Sequence, residues 1–171
     1  LFPMPMNGKE IGWWSPATRG IIPIDGLQIS RSLQKHLKRF SIRVDSCFAQ
    51  VMKACGDPRR PHGWINVDFI RAYSYLHAMG WAHSVEVFSG DDLVGGVYGV
   101  RVGKLFAGES MFHTQTDASK AALVALVALL DATGIALFDV QWTTPHLESM
   151  GAIDIPRSDY LALLARAQNR D

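Results

Sequence analysis

Residues 83–141 read HSVEVFSGDDLVGGVYGVRVGKLFAGESMFHTQTDASKAALVALVALLDATGIALFDVQ, and this stretch decides the fold. Its first part holds three short β-forming runs, His83 to Phe88, Leu93 to Arg101 and Leu105 to Phe112. Ser89-Gly90-Asp91-Asp92 and Gly103-Lys104 separate them. Gly and Asp at such positions turn a chain, so the spacing predicts a three-stranded meander. Asp117 then precedes a long apolar segment that runs to about Thr133 and closes at Gly134. An Asp before a helix can cap its free amides, and a Gly after it accepts the left-handed conformation that ends one. Ile135 to Gln141 is apolar until its last residues, which is the pattern of a buried strand.

Downstream, a short helix is expected over Pro145 to Met150, stopped by Gly151, then a strand over Ala152 to Ile155. Pro156 opens a C-terminal helix, because a first-turn proline forfeits no hydrogen bond. Upstream, helices are expected from Ser30 to about Arg39, from Phe48 to Ala54, and from Val67 to Met79. Gly56-Asp57-Pro58 breaks the second and Gly80 ends the third. Residues 1–45, rich in Pro, Gly and Trp, are expected to be the remnant of a small N-terminal subdomain, and residues 46–171 the main domain. The order β-β-β-α-β-α-β-α implies an α+β fold, a mixed and mainly antiparallel sheet flanked by helices. It matches the acyltransferase fold of the N-acetyltransferase (GNAT) superfamily.

Composition narrows the class. Of 171 residues 48% are hydrophobic and 19% charged, which suits a globular domain and excludes a disordered chain. No apolar run reaches the ~20 residues of a membrane span. Cys47 and Cys55 lie outside any C-x-x-C spacing, so neither a disulfide framework nor a zinc site is expected, and a cytoplasmic setting is. Net charge is only +1, yet residues 1–85 carry 11 Lys/Arg against 5 Asp/Glu, and residues 86–171 carry 6 against 11. That asymmetry points to a polyanionic partner for the first half, where Arg31, Lys35, Lys38 and Arg39 cluster.

Three places hold side chains suited to chemistry. The apolar strand from Ile135 ends in Asp139-Val140-Gln141, and residues two apart on a strand share a face. Glu109 lies in the otherwise apolar run Gly108-Glu109-Ser110-Met111-Phe112, where a buried carboxylate needs a partner or a cationic ligand. Trp13-Trp14 and Trp64 suit core packing or stacking on a nucleobase. His77, His83 and His146 have no companion nucleophile and read as packing or hydrogen-bonding residues. A GNAT enzyme that uses acetyl-CoA holds the pyrophosphate in a Gly-rich turn at the start of its central helix. Here residues 112–120 contain no glycine, and Asp117 puts a carboxylate there, which argues for another acyl donor.

In order along the chain stand Gly12-Trp13-Trp14-Ser15-Pro16, Ile29-Ser30-Arg31-Ser32, Trp64-Ile65, His83-Ser84-Val85-Glu86-Val87, Leu93 to Gly99, Gly108 to Phe112, Ala118-Ser119-Lys120, Asp139-Val140-Gln141 and Ile155 to Leu161. This succession resembles the leucyl/phenylalanyl-tRNA–protein transferase family across nearly the whole chain, most specifically in G-G-x-Y-G and G-E-S-M-F. The resemblance implies transfer of Leu or Phe, with Met as a further donor, from aminoacyl-tRNA to proteins that begin with Arg or Lys. The product enters the N-degron route to degradation. No metal, ATP or CoA is needed, because the ester is already activated, and the enzyme is expected to act as a monomer. It casts Gln141 as orienting the attacking amine and relaying a hydrogen bond, Asp139 as polarising Gln141 and favouring proton departure, and Glu109 as meeting a cationic substrate group. Val97, Phe106, Met111, Leu123, Leu126, Leu130 and Phe138 match the family's donor side-chain pocket. Trp64 and Tyr73 match positions near the terminal adenosine, with Arg31, Lys35, Lys38 and Arg39 along the acceptor stem. The chain begins inside the family's G-[IL]-F-P motif, carries Met4 where some members have a stacking Trp, and lacks the tail of many members. The alternatives are a CoA-dependent N-acyltransferase of the same fold and an inactive tRNA- or peptide-binding relative.

Overall fold

The computed structural model describes residues 1–6, 10–59 and 64–168. A hairpin of β1 (Phe2–Pro5) and β2 (Ile11–Trp14) forms a two-stranded sheet of its own. Next come β3 (Thr18–Ile21), a 3-10 turn (Ile24–Gly26), α1 (Arg31–Leu37) and β4 (Ser41–Val44). Two helices follow, α2 (Phe48–Cys55) and α3 (Val67–Ala78). The expected meander is β5 (Ala82–Ser89), β6 (Asp92–Val102) and β7 (Leu105–His113). The chain closes with α4 (Ala118–Ala132), β8 (Leu137–Gln141), α5 (Pro145–Glu148), β9 (Ile153–Pro156) and α6 (Arg157–Gln168).

Seven strands make one sheet in the order β4-β5-β6-β7-β8-β3-β9. Only β7 and β8 run parallel, because α4 carries the chain across between them. This is the expected GNAT-like α+β architecture. It differs from the expectation at the N-terminal end. β3 is inserted between β8 and β9, and β4 pairs with β5, so the boundary drawn at residue 45 runs through a hydrogen-bonded sheet.

Apolar residues on alternate positions divide the core between the sheet's two faces. Ala121, Leu123, Leu126 and Leu130 of α4 pack on Val85, Val97, Phe106 and Phe138. On the other face, Phe48 and Met52 of α2 with Phe69 and Tyr73 of α3 cover Tyr98 and Phe112. Beside them Tyr160 and Ala167 of α6 cover Ile21, Leu105 and Leu137. Two glycines of the G-G-x-Y-G run permit this packing. A Cβ on Gly95 would stand 2.7 Å from the Ala118 Cβ, so glycine lets the first turn of α4 rest on β6. A Cβ on Gly99 would stand 2.3 Å from the Ala107 carbonyl oxygen, so that position admits no side chain. Leu123 is fully buried at the centre of the α4 face. Leu123→Ala is expected to cost about 2–5 kcal/mol, read from the midpoint of urea unfolding.

Several element ends depart from expectation. Asp117 precedes α4 but does not cap it with its side chain. Its backbone is left-handed (φ 68°) and its carboxylate turns away to His36 Nδ1, 2.6 Å distant, and to Lys120. Strand β8 starts at Leu137 rather than Ile135, because the Ile135 amide still closes the helix onto Leu130. Pro156 ends β9, and α6 begins one residue later.

Candidate active site

The site forms where two parallel strands part. β7 and β8 pair at Leu105↔Leu137, Phe106↔Phe138 and Ala107↔Asp139, and then separate although both continue. On its other edge β7 pairs β6 with a register shift: Gly99 faces Gly108 and Tyr98 faces Ser110. Glu109 is therefore the extra residue of a β-bulge. Such a bulge bends a strand and re-aims its side chain, and bulges recur beside active sites. The fork between β7 and β8 and the bulge at Glu109 fall at one level of the sheet.

Asp139 is fully buried and accepts four hydrogen bonds. Arg19 binds it through two nitrogens, Nε to Oδ1 at 2.9 Å and an η nitrogen to Oδ2 at 2.5 Å. The Tyr160 hydroxyl donates to Oδ2 at 2.8 Å and the Gln141 backbone N–H to Oδ1 at 2.8 Å. The Arg19 guanidinium lies between the rings of Phe2 and Tyr160, 4.7 and 4.8 Å from their centroids. Burial and the Asp139 charge both hold the Tyr160 phenol above its usual value, so it remains a donor.

Gln141 ends β8 with φ 64°, a left-handed backbone uncommon outside glycine. That twist turns its amide back onto Asp139 and its side chain across the fork. The carboxamide Nε2 donates to the Gly108 carbonyl at 2.7 Å. Among the described residues no donor reaches Oε1, so the carboxamide keeps an acceptor for a ligand N–H. Asp139 thus meets the backbone of Gln141, not its carboxamide. Glu109, next to Gly108, has a carboxyl pushed up to about 7 by burial. The nearby Tyr73 hydroxyl opposes that rise, the Asp139 charge adds to it and Arg19 offsets it.

The family model described as leucyl/phenylalanyl-tRNA protein transferase matches residues 21–165. The chain belongs to the leucyl/phenylalanyl-tRNA–protein transferase family. A protein of that name from Cereibacter sphaeroides is 51% identical over 171 residues, covering 98% of this chain and 79% of its own length. One from Tolumonas auensis is 48% identical over 174 residues, covering 99% of this chain and 74% of its own. Two solved structures share the fold at low identity. FemX superposes with TM-score 0.57 at 10% identity, over 84% of this chain and 60% of its own. L-PGS from Bacillus licheniformis superposes with TM-score 0.53 at 11% identity, over 91% of this chain and 66% of its own.

In this leucyl/phenylalanyl-tRNA–protein transferase family member, Asp139, Gln141 and Glu109 come together at the fork. Phe106, Leu126 and Leu130, with His83, Arg101 and Thr133, line a mainly apolar cavity of about 200 Å³ under the second half of α4, and Asp139, Gln141 and Glu109 are not among its lining residues. An apolar hole of roughly 150 Å³ can hold a benzene ring. Val97, Leu123 and Phe138 are buried in the adjoining core, and Met111 packs against it. Tyr73 is buried on the opposite face, edge-on to Tyr98, and Trp64 is half-buried against Phe69. Arg31, Lys35, Lys38 and Arg39 are exposed on and just after α1, with no ion pair to a described residue. His77 stacks on Phe48 and its Nδ1 meets the Ala82 carbonyl, while His83 Nδ1 meets Asp45. Sequence reading gave no role to Arg19 or Tyr160. The available signal was an arginine in front of the apolar run that begins at Gly20, and a tyrosine within the quoted Ile155 to Leu161 motif.

Proposed function

We propose that this chain is an aminoacyltransferase that moves Leu or Phe from charged tRNA onto the N-terminal amine of an acceptor protein. Its acceptors begin with Arg or Lys, and the lengthened product is marked for N-degron degradation. The observation that carries this reading is a free carboxamide acceptor pinned at the fork by the Gly108 carbonyl, its backbone amide held by a fixed carboxylate, in a chain of this family.

The ester of aminoacyl-tRNA is activated already, so the protein's task is to seat an amine against its carbonyl. Gln141 Oε1 receives an N–H of that amine and directs its lone pair, while Nε2 is pinned to Gly108. Asp139 sets the backbone twist that aims the carboxamide. Holding two reactants in register can lower a barrier by about 7–11 kcal/mol. The donor side chain enters the apolar region of Phe106, Leu126 and Leu130, with Val97, Met111, Leu123 and Phe138 in the core beside it. One methyl is worth only ~1–3 kcal/mol there, so rejection of β-branched donors rests on shape. Trp64 and Tyr73 border the terminal adenosine. Residues 112–120 carry no glycine for a pyrophosphate-holding turn at the start of α4, which favours tRNA over CoA.

The specificity is tested with a panel of charged tRNAs against peptides that begin with Arg, Lys and Met. Leu and Phe should transfer to Arg and Lys peptides at least tenfold faster than Ile or Val, and faster than any donor to Met. Equal rates across the panel would remove the specificity. The cationic stretch makes a separate expectation. Each lost phosphate contact flattens the plot of log affinity against log salt by about 1. Lys35→Ala/Lys38→Ala should therefore lower that slope by about 2 in a tRNA-binding titration and leave transfer at saturating tRNA unchanged.

A further inference from the structure

We infer that the acceptor's first side chain is read beside the fork by Trp142, Glu148 and Asp154, which together seat a guanidinium or ammonium group. The inference rests on the transferase reading above and names the residues that select Arg or Lys, which that reading leaves open.

The seat follows from the way the chain leaves β8. The Trp142 amide donates to the Val140 carbonyl at 2.8 Å, which closes a tight turn centred on the left-handed Gln141. From there the chain crosses β3 at Gly20. A Cβ on Gly20 would stand 2.5 Å from the Trp142 carbonyl carbon and 2.8 Å from the Thr143 nitrogen, so glycine lets the crossing lie directly on the sheet. Gly20 pairs with Gln141 on one side and with Asp154 of β9 on the other. Gln141, Gly20 and Asp154 thus form one row, and the crossing brings Thr143 to its far end. There the Thr143 hydroxyl lies 3.1 Å from Asp154 Oδ2 and 3.0 Å from Glu148 Oε1 at the end of α5.

Three observations make this place fit a cation. Glu148 and Asp154 are exposed, and no described residue forms an ion pair with either. A hydroxyl has one hydrogen to donate, so Thr143 satisfies one carboxylate at a time, and the two like charges repel until a cation joins them. The Trp142 indole is 48% exposed and rests against Phe2, with ring centroids 5.5 Å apart. An indole face attracts a cation, and the same neighbourhood already holds one guanidinium in this way, that of Arg19 between Phe2 and Tyr160. Gln141, only 8% exposed, has its Oε1 free for the acceptor's amine at the near end of the row.

Length completes the match. The row spans two strand spacings, about 10 Å. Arg and Lys carry their charge on a long methylene stem, and hydrogen bonds of about 2.9 Å at each end make up the span. The stem runs beside the Trp142 indole, and a shorter cation falls short of the carboxylates.

The test measures kcat/KM for leucyl transfer to peptides that differ only in their first residue: Arg, Lys, citrulline or 2,4-diaminobutyrate. Citrulline has the shape of Arg without its charge, and 2,4-diaminobutyrate is a shortened Lys. The wild-type chain should favour Arg over citrulline about tenfold or more, and Lys over 2,4-diaminobutyrate about as strongly. Rising salt should shrink the Arg-to-citrulline ratio, because both carboxylates are exposed. Glu148→Gln/Asp154→Asn should bring that ratio to about twofold or less. Trp142→Leu should lower it about threefold, and Trp142→Phe should restore most of it. The ratio is the measure because a general loss of activity or of fold slows both peptides and leaves it alone. A wild-type ratio in Glu148→Gln/Asp154→Asn overturns the seat while transfer itself stands. So does a wild-type chain that charges Arg and citrulline peptides equally well. A wild-type chain that transfers leucine to none of the peptides overturns the transferase reading, and this inference with it.

Discussion

Arg19→Met is expected to unfold the protein about 3–5 kcal/mol more easily, a Tm lower by roughly 10 °C, in differential scanning calorimetry. The reason is the company Asp139 keeps. Both partners of the pair are buried, and the arginine supplies two of the four hydrogen bonds on the carboxylate. Without it a negative charge remains inside the sheet with the Tyr160 hydroxyl and one backbone amide as its only described partners. Removing one member of a buried pair costs far more than removing both, because the survivor has lost water and gained nothing. The double replacement Arg19→Met/Asp139→Leu should therefore recover a large part of the lost stability. It should not recover transfer, since the Gln141 amide would have lost the acceptor that fixes its left-handed turn. Stability and activity then move apart in one pair of proteins, which separates the structural work of the ion pair from the positioning it provides.

Gln141→Ala is expected to lower single-turnover transfer by about 100-fold, the scale on which an ångström of misplacement slows a bimolecular step held in a site. In the proposed mechanism the carboxamide meets the amine and not the tRNA, so the dissociation constant for charged tRNA should change less than twofold. Gln141→Glu is the informative companion. It keeps the shape but loses the amide donor to Gly108, placing a carboxylate oxygen against a carbonyl oxygen. Its transfer rate should fall at least as far as that of the alanine variant. A loss of tRNA affinity parallel to the loss of rate would assign Gln141 to donor binding instead.

The parts of this site that are local in sequence were legible before the fold was known. The meander follows from β-forming runs between Gly and Asp turns, and α4 from a long apolar run closed by Gly134. Asp139 and Gln141 stand out as polar ends on an apolar strand. What was not legible depends on pairing across distance. Arg19 meets Asp139 across 120 residues, and nothing near either residue indicates that β3 lies beside β8. The bulge at Glu109 exists only in the register between β6 and β7. Two positions apart on a strand suggested that Asp139 and Gln141 point the same way, but φ 64° at Gln141 brings its backbone amide to the carboxylate instead. Asp117 looked like a cap, and a histidine 81 residues earlier draws its carboxylate away.

The most direct test of the central claim is the mass of an Arg-starting peptide after incubation with the purified chain. One arm supplies leucyl-tRNA and a parallel arm supplies acetyl-CoA. The peptide should gain one leucine residue in the first arm and nothing in the second. An acetylated peptide, or an unchanged peptide in the leucyl-tRNA arm while the protein binds the tRNA and remains folded, would contradict the account.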